Sequence, residues 1–214
     1  MPASPPFFSL SGRQRMPAPI IPDKAALRRT MCACRRALPA DERRALSLAA
    51  QEHILRDPAW RKAPCVALYV ALAEETDTSA LLEEAWASGK TVLLPRCSPV
   101  DRGHMDFFSC AGRGDLRPGP FGIDEPDPDR AAGANIPPPS LMIVPGVAFD
   151  SRGFRLGMGG GYYDRFSSRD LFAGALRLGL AFAFQVADRV PREDWDLLVQ
   201  AICTEKGLLW LPRP

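Results

Sequence analysis

The chain has 214 residues, of which 46% are hydrophobic, and its formal net charge is +2. This length and apolar content are typical of one compact domain, and so small a charge argues against nucleic acid or an anionic membrane as a partner. Prolines and charges interrupt every apolar run before it reaches the length of a membrane span, so we expect a cytoplasmic protein without membrane or nucleic-acid partners.

Cysteine and histidine usage bears on metal and redox chemistry. The six cysteines include no Cys-x-x-Cys pair, and only two histidines, His53 and His104, are present to complete a zinc site. This pattern favours reduced, mostly buried thiols.

Residues 1–22, MPASPPFFSLSGRQRMPAPIIP, are rich in proline and contain no acidic residue. We predict a disordered tail there and a single folded domain over residues 23–214. An organelle transit peptide is an alternative that the prolines disfavour, because they interrupt the amphipathic helix that such a peptide needs. A start of translation at Met16 is a second alternative to the disordered tail.

Two helices are predicted after the tail, with Asp23 suited to cap the first and Pro39 to separate it from the second. Next, CVALYVAL (65–72) has strand length, TSALLEEAWASG (78–89) has helical periodicity, and KTVLLP (90–95) is strand-like. A strand, a helix and a strand in succession predict a parallel pair of strands.

The second half of the chain adds strands and one long loop. MDFFSC (105–110) is a weaker strand, residues 115–139 hold so many prolines and glycines that no regular element is expected, and SLMIVPGVAF (140–149) resumes a buried strand. YYDRFSSRDLF begins a helix, and the last strands are predicted in LRLGLAFAF, LVQAICT and GLLWL. The sum is an α/β fold, a single domain whose largely parallel, mixed sheet is covered by helices in three α/β/α layers.

The segment RLGMGGGYYDRF (155–166) contains four glycines between a predicted strand and a predicted helix. Glycine is favoured where the backbone turns sharply or another group approaches the main chain closely, and backbone N–H groups before a helix attract anions. The dinucleotide and P-loop patterns do not match, because Tyr162 stands where the first needs glycine and no Lys-Ser/Thr pair follows. A purely structural turn is therefore an alternative.

The neighbours of the glycines favour a ligand. Arg155, Tyr162, Tyr163, Asp164 and Arg165 supply cations, hydroxyls and an acid within two turns of the loop. These groups are suited to hold phosphates and an accompanying Mg²⁺.

With these neighbours, LMIVPGVAFDSRGFRLGMGGGYYDRF (141–166) closely resembles the signature of the 5-formyltetrahydrofolate cyclo-ligase family. Further segments similar to the family follow its order along the chain: KAALR (24–28), YVALAEETDT (69–78), FGIDEP (121–126), VPREDWD (190–196) and AICTE (201–205). The resemblance covers most of the chain from residue 23, and residues 1–22 lie outside it.

The resemblance implies an ATP-dependent enzyme with 5-formyltetrahydrofolate and ATP as its small-molecule partners and ATP and Mg²⁺ as cofactors. The formyl oxygen is phosphorylated, N10 attacks the activated carbon, and phosphate leaves to give 5,10-methenyltetrahydrofolate. Phosphoryl transfer depends on positioning and charge neutralisation more than on a protein nucleophile, which agrees with the scarcity of histidine. We expect a monomer or a weak homodimer.

Residue by residue, the resemblance implies a nucleotide site in the first helix and the glycine loop. Lys24 and Arg28 stand four residues apart, on one helix face, whereas Arg29, Arg35 and Arg36 are interpreted as a solvated basic face. Catalytic roles fall to Arg155 and Tyr162. The full set of expected ATP ligands is Lys24, Arg28, Arg155, Leu156, Gly157, Met158, Gly159, Gly160, Gly161, Tyr162 and Tyr163.

The implied folate ligands are Val70 and Glu75, which belong to the segment after an apolar strand. For Val70 alone, packing in the core is the better interpretation. Glu125, in its proline-flanked loop, is as well explained by a loop position as by a ligand role.

Two residues depart from the family pattern. Met158 stands where many relatives carry Tyr or Arg, and Gln200 stands where the resemblance places an Asp that helps to hold Mg²⁺. An amide is a weaker magnesium ligand than a carboxylate, so Asp164 is the main metal candidate and Asp196 a possible substitute for Gln200. These departures leave a catalytically silent folate- or nucleotide-binding relative as the alternative function.

A module that binds RNA through its basic first helices is a further alternative. The nearly neutral chain and the lack of aromatic residues in those helices disfavour it.

Overall fold

A computed structural model of the chain describes residues 23–98, 100–101, 103–133, 135–167 and 170–212. The predicted tail, residues 1–22, lies outside the described residues, so its disorder stays a prediction. The extent of the single domain predicted over 23–214 also stays a prediction.

The helices of the described chain are α1 Lys24–Ala37, α2 Ala40–Arg56, α3 Pro58–Lys62, α4 Ser79–Ala87 and α5 Tyr162–Ser167. The N–H of Ala26 donates to Asp23 Oδ1 (2.6 Å), so Asp23 caps α1 as predicted. Pro39 separates α1 from α2. The chain leaves α4 through Gly89, whose positive φ of 75° favours glycine.

The strands of the described chain are β1 Cys65–Ala67, β2 Thr91–Cys97, β3 Met105–Cys110, β4 Leu116–Pro118, β5 Asp124–Pro126, β6 Leu141–Pro145, β7 Ala148–Asp150, β8 Arg155–Leu156, β9 Leu176–Leu180, β10 Val186–Ala187, β11 Ala201–Thr204 and β12 Gly207–Trp210. The main sheet has the order β12-β11-β9-β6-β1-β2-β3. Its inner pairs are parallel, whereas β12 and β3 join antiparallel at the edges. The predicted α/β fold with a mixed, largely parallel sheet is confirmed.

Two apolar clusters cover the two faces of the main sheet. On one face, α2, α3 and α4 pack through Ile54, Trp60 and Leu81, each at most 1% exposed. On the other face lie α5 and the small sheet β10-β7-β8, which contribute Phe166 and Phe149. Truncating a buried aromatic side chain to alanine costs about 3–5 kcal/mol, so both layers are firmly attached to the sheet.

The first predicted strand, residues 65–72, is longer than the observed one, which ends at Ala67. The N–H of Leu68 still donates to a carbonyl of β2 (2.9 Å). Beyond it the chain turns away, because the N–H of Glu75 donates to Leu72 O (2.9 Å) and closes a turn. Tyr69, Val70 and Leu72, which follow the strand, line the cavity at the edge of the sheet.

The strand predicted over residues 140–149 is two strands, β6 and β7, in different sheets. The break lies at Gly146, where a side chain has no room: a Cβ there would lie 2.4 Å from Phe149 Cζ. The chain therefore turns sharply at a point where periodicity indicates one continuous strand.

The prediction that residues 115–139 contain no regular element is wrong. Strands β4 and β5 form an antiparallel hairpin, and the N–H of Gly119 donates to Ile123 O (2.8 Å) between them. Pro118 and Pro126 are the last residues of their strands. Proline has no backbone N–H group to donate, and at the end of a strand the pairing of the two strands does not require one.

Within the described residues, no helix is both long enough and apolar enough to cross a membrane. The six cysteines are free thiols.

Candidate active site

A cavity of about 490 Å³ lies at the carboxyl edge of the parallel strands. Pro145 at the end of β6, Cys97 at the end of β2 and Val70 beyond β1 belong to its wall. Open α/β sheets bind ligands at this edge, and the volume falls in the usual range for small-molecule sites, roughly 300–1,000 Å³.

The cavity brings together all but one of the residues predicted as ligand, catalytic or metal residues. They come from α1, from the turn after β1, from the glycine loop with α5, and from the segment before β11. The residues that line it are Lys24, Arg28, Val70, Glu75, Arg155, Leu156, Gly157, Met158, Gly159, Gly160, Gly161, Tyr162, Tyr163, Asp164 and Asp196. Their individual roles stay predictions.

The glycine loop, residues 157–161, runs from β8 to the start of α5. Gly159 and Gly161 have φ values of 105° and 67°, a region that glycine adopts far more readily than other residues. The carbonyl of Gly157 accepts a hydrogen bond from Arg28 Nε (2.8 Å). Because α5 spans only six residues, its own dipole is small, and the cations around the loop are the main source of positive potential there.

One face of α1 lies against the cavity and the glycine loop, at a spacing of one helical turn. Lys24 Nζ lies 2.8 Å from Asp196 Oδ2, and Arg28 binds Gly157 O. A turn later, Cys32 Sγ lies 4.0 Å from Met158 Sδ. The predicted common face of Lys24 and Arg28 is therefore the face that meets the cavity.

The interpretation of Arg35 as a solvated residue is wrong, because its side chain is only 2% exposed. Arg35 continues the stripe of Lys24, Arg28 and Cys32 down α1, and its Nη1 lies 3.9 Å from Glu75 Oε1. The signal was present in the sequence as the helical spacing of these positions. It was not decisive, because exposed arginines lie at comparable positions of the same helix.

Arg155 and Asp164 form a close ion pair beside the glycine loop, with Nη2 and Oδ1 2.5 Å apart. Arg155 is 6% exposed, and its guanidinium lies 5.6 Å from the centre of the Tyr163 ring. Its Nε is buried and has no hydrogen-bond partner in the part of the chain that the structure describes. The same Asp164 oxygen accepts a hydrogen bond from Leu197 N–H (3.2 Å). Asp164 is thus held in place by two separate segments of the chain.

The residues around the loop fit a magnesium ion that enters with the triphosphate better than an ion held by protein alone. Asp164 and Asp196 line the same cavity, and each is paired with a cation. Across the residues that the structure describes, no three His, Cys, Asp or Glu side chains are grouped so as to hold a metal. Mg²⁺ commonly takes one or two carboxylates and completes its octahedron with phosphates and water.

Gln200 does not line the cavity, and the prediction that it occupies a metal position needs correction. Its Oε1 accepts a hydrogen bond from Arg177 N–H (2.7 Å), and its own N–H donates to Arg177 O (2.8 Å). Gln200 immediately precedes β11, and Arg177 lies near the start of the parallel strand β9. Gln200 therefore lies at the edge of the sheet opposite to the cavity.

Burial governs protonation in the wall around Glu75. Burial raises the pKa of this carboxyl, whereas the Leu72 N–H and Arg35 oppose the shift. Burial likewise raises the pKa of Tyr69 and of Tyr163 well above the ordinary value. Both phenols stay protonated at neutral pH, and the Tyr69 hydroxyl donates to Thr76 O (2.9 Å).

Glu125 also lines the cavity and is only 5% exposed, so the structure favours the wall over a solvated loop for this residue. It packs against Gly119, where a Cβ would lie 2.7 Å from Glu125 Cγ. The N–H of Cys97 makes a long contact of 3.5 Å with Oε1. Burial raises the pKa of Glu125, whereas hydrogen bonds from Cys97 and the charge of Arg96 oppose the shift.

Residues 20–205 match the 5-formyltetrahydrofolate cyclo-ligase family. The chain is 32% identical over 170 residues to 5-formyltetrahydrofolate cyclo-ligase of Escherichia coli strain K12, covering 79% of this chain and 93% of that enzyme. The mouse enzyme of the same name is 25% identical over 178 residues, covering 79% of this chain and 87% of its own length.

Solved structures give the same picture. The NMR structure of 5,10-methenyltetrahydrofolate synthetase from Aquifex aeolicus matches with a TM-score of 0.75 and 35% identity, over 89% of this chain and 94% of that one. The synthetase of Mycoplasma pneumoniae, 21% identical, matches with a TM-score of 0.65 over 86% and 99% of the two chains, and supports the fold alone.

Proposed function

The chain belongs to the 5-formyltetrahydrofolate cyclo-ligase family, and we propose that it converts 5-formyltetrahydrofolate into 5,10-methenyltetrahydrofolate with ATP. ADP and phosphate are the other products. One observation carries the proposal: a cationic helix face, a glycine loop and a buried carboxyl line a single cavity. This cavity holds side chains suited to a polyphosphate and side chains suited to a heterocycle.

The reaction has two steps. The formyl oxygen attacks the γ-phosphorus of ATP, the bond to the β-phosphate oxygen breaks, and ADP leaves. N10 then attacks the activated carbon and loses its proton, and phosphate departs from that carbon to form the methenyl bridge. Both steps gain from a site that orients the reactants and neutralises phosphate charge.

The glycine loop and α1 are suited to the triphosphate. Lys24 and Arg28 supply charge from one helix face, and the four glycines have no side chains that would keep a phosphate away from the backbone of the loop. Arg155 is suited to stabilise the charge that develops on the transferred phosphoryl group, since its buried Nε has no hydrogen-bond partner among the described residues. Tyr162, at the start of α5, is suited to donate a hydrogen bond there.

The wall formed by Val70 and Glu75 is suited to the folate. Val70 offers an apolar surface to the ring system, and Glu75 offers a carboxylate to ring N–H groups. The buried Glu125 is a further candidate for a hydrogen bond to the same ligand. Pterin rings combine a flat apolar surface with polar edges, which is the chemistry that this wall complements.

The proposal includes Mg²⁺, with Asp164 and Asp196, the carboxylates beside the loop, as its protein ligands. An ion bound there with the triphosphate would supply charge neutralisation at the phosphates. The protein's own part is to orient these carboxylates, which Arg155 and Lys24 do through direct ion pairs.

A spectroscopic assay of methenyltetrahydrofolate formation tests the proposal. We expect product from 5-formyltetrahydrofolate only when both ATP and Mg²⁺ are present. A protein that binds the folate with normal affinity but forms no product with Mg-ATP would be the catalytically silent relative, and the proposed reaction would be rejected.

A further inference from the structure

Arg35 has an unusual environment for a cation. Its side chain is 2% exposed, and among residues 23–98, 100–101, 103–133, 135–167 and 170–212 its buried Nε has no hydrogen-bond partner. Within the same ranges, its contact with a charged group is the 3.9 Å approach to Glu75. Among residues 28–36 of α1, the other arginines contact solvent or the glycine loop. A buried charge without strong hydrogen bonds is costly, so its retention needs a reason.

Glu75 is fixed from two directions. Its Oε2 accepts a hydrogen bond from Leu72 N–H (3.1 Å), and its Oε1 faces Arg35. The carboxyl is 11% exposed and lines the cavity. Arg35 itself is not part of the cavity wall, so it stands behind Glu75 as seen from the ligand.

The distance decides how Arg35 acts on Glu75. At 3.9 Å the two groups attract one another without a short hydrogen bond. A guanidinium remains charged at any ordinary pH, so it exerts a constant field on the carboxyl. That field opposes the effect of burial, which by itself would favour a neutral Glu75.

We propose that Arg35 is a positioning residue for folate recognition, which keeps the Glu75 carboxylate charged and directed into the cavity without touching the ligand. The proposal rests on the proposed function, because it takes Glu75 as a folate ligand. A charged, fixed carboxylate accepts hydrogen bonds from ring N–H groups more strongly than a neutral carboxyl does. Arg35 thus influences folate binding through Glu75, whereas the glycine loop is the proposed site for ATP.

The test compares Arg35→Met, Arg35→Lys and Glu75→Gln with the double variant Arg35→Met/Glu75→Gln. Arg36→Met is the matched control, because Arg36 is the exposed neighbour on the same helix. Two quantities are measured for each protein: the KM values for 5-formyltetrahydrofolate and for ATP, and the Kd for 5-formyltetrahydrofolate without ATP.

Arg35→Met should weaken folate binding on the order of tenfold, as expected for a lost charge contribution, and should change the KM for ATP less than about twofold. Arg35→Lys should recover most of the affinity, because the charge is kept. The double variant should bind folate no worse than Glu75→Gln alone, since Arg35 acts through Glu75. It also carries no unpaired charge at this site, so it provides a folded comparison if Arg35→Met unfolds.

The pH dependence gives a second readout. Glu75 is faced by Arg35 from α1, by Tyr69 from the segment after β1 and by Tyr163 from α5. Loss of the cation in Arg35→Met should raise the pKa of Glu75, so the acid limb of kcat/KM for folate should move to higher pH. A merely structural arginine would lower activity without moving that limb.

Additive losses in the double variant, or equal losses of folate and ATP affinity in Arg35→Met, would overturn the proposal and leave Arg35 a structural residue. An active wild type with an unaffected Arg35→Met protein would reject the positioning role alone. A wild type that neither binds the folate nor forms product would reject the proposed function, and the role of Arg35 with it.

Discussion

The ammonium group of Lys24 lies 2.8 Å from the carboxylate of Asp196, across a sequence separation of 172 residues. Asp196 also accepts a hydrogen bond from Glu193 N–H (2.8 Å), and the next residue, Leu197, donates to Asp164. The predicted phosphate ligand of α1 and both candidate metal carboxylates are therefore linked through one short segment. Binding of Mg-ATP would give these groups new partners, since the triphosphate attracts Lys24 and the ion attracts the carboxylates.

Replacement of Lys24 by alanine should raise the KM for ATP by roughly 10- to 150-fold, the equivalent of about 1.5–3 kcal/mol for a contact between charged groups. The KM for 5-formyltetrahydrofolate should change little. Steady-state kinetics with each substrate varied in turn measure both values. Arg29→Ala, an exposed position on the same helix, is the control, and an equal effect at both positions would mean a general loss of positive charge.

Gly160→Val should abolish ATP binding while the protein stays folded. A Cβ at Gly160 would lie 2.8 Å from two ring carbons of Tyr162, so a branched side chain displaces that ring and fills space beside the loop. Gly174→Val is the control, because a Cβ there meets nothing within 4 Å. ATP binding by calorimetry and thermal unfolding distinguish the outcomes. A Gly160→Val protein that binds ATP normally in its folded fraction would identify the loop as purely structural.

Gln200→Asp should leave the magnesium requirement unchanged, because the side chain lies away from the cavity. If Gln200 occupied the metal position that the resemblance implies, the acid would instead lower the magnesium requirement. The shorter acid should weaken the hydrogen bond to Arg177 N–H and reduce the free energy of unfolding by about 0.5–1.5 kcal/mol. Magnesium titrations of activity and denaturant unfolding provide the two measurements.

Asp164→Asn tests whether the Asp164 carboxylate is a magnesium ligand. Removing this carboxylate should raise the magnesium concentration for half-maximal activity or abolish turnover. If Asp196→Asn raises that concentration and Asp164→Asn does not, the ion belongs to Asp196.

Cys34 should be the thiol that iodoacetamide modifies first in the native protein at pH 8, because it is exposed. Burial raises the pKa of Cys65 to about 11 and the pKa values of Cys110 and Cys203 to about 12, so these thiols hold little thiolate at that pH. Mass spectrometry of partly labelled protein identifies the order. Rapid labelling of Cys110 in folded protein would contradict its burial.

Local sequence signals were sufficient to predict those features that depend on residues close together in the chain. Asp23 and Pro39 delimit α1 because a cap and a helix break each act within one turn. The spacing of Lys24 and Arg28 predicted their common face for the same reason. The position of the glycine loop between β8 and α5 likewise follows from residues within the segment.

The sequence predictions that were wrong concern properties that depend on residues distant in the chain. Arg35 is buried beside Glu75, which lies 40 residues later, so the helix pattern alone could not distinguish it from its exposed neighbours. The position of Gln200 follows from the pairing of β11 with β9, which places it at the wrong edge of the sheet for a metal ligand. The β4–β5 hairpin was missed because proline was taken as a break, whereas Pro118 and Pro126 end strands.

The contact between Lys24 and Asp196 also constrains the folding kinetics of the chain. Helices such as α2 form from local contacts, whereas the cavity needs α1, the turn after β1, the glycine loop and the segment at Asp196 together. Contacts of such long sequence separation form late, because the loop between them must first be closed. In refolding experiments the helical circular dichroism signal should therefore recover before ATP binding does, and a nascent chain should gain its active site only after Asp196 has left the ribosome.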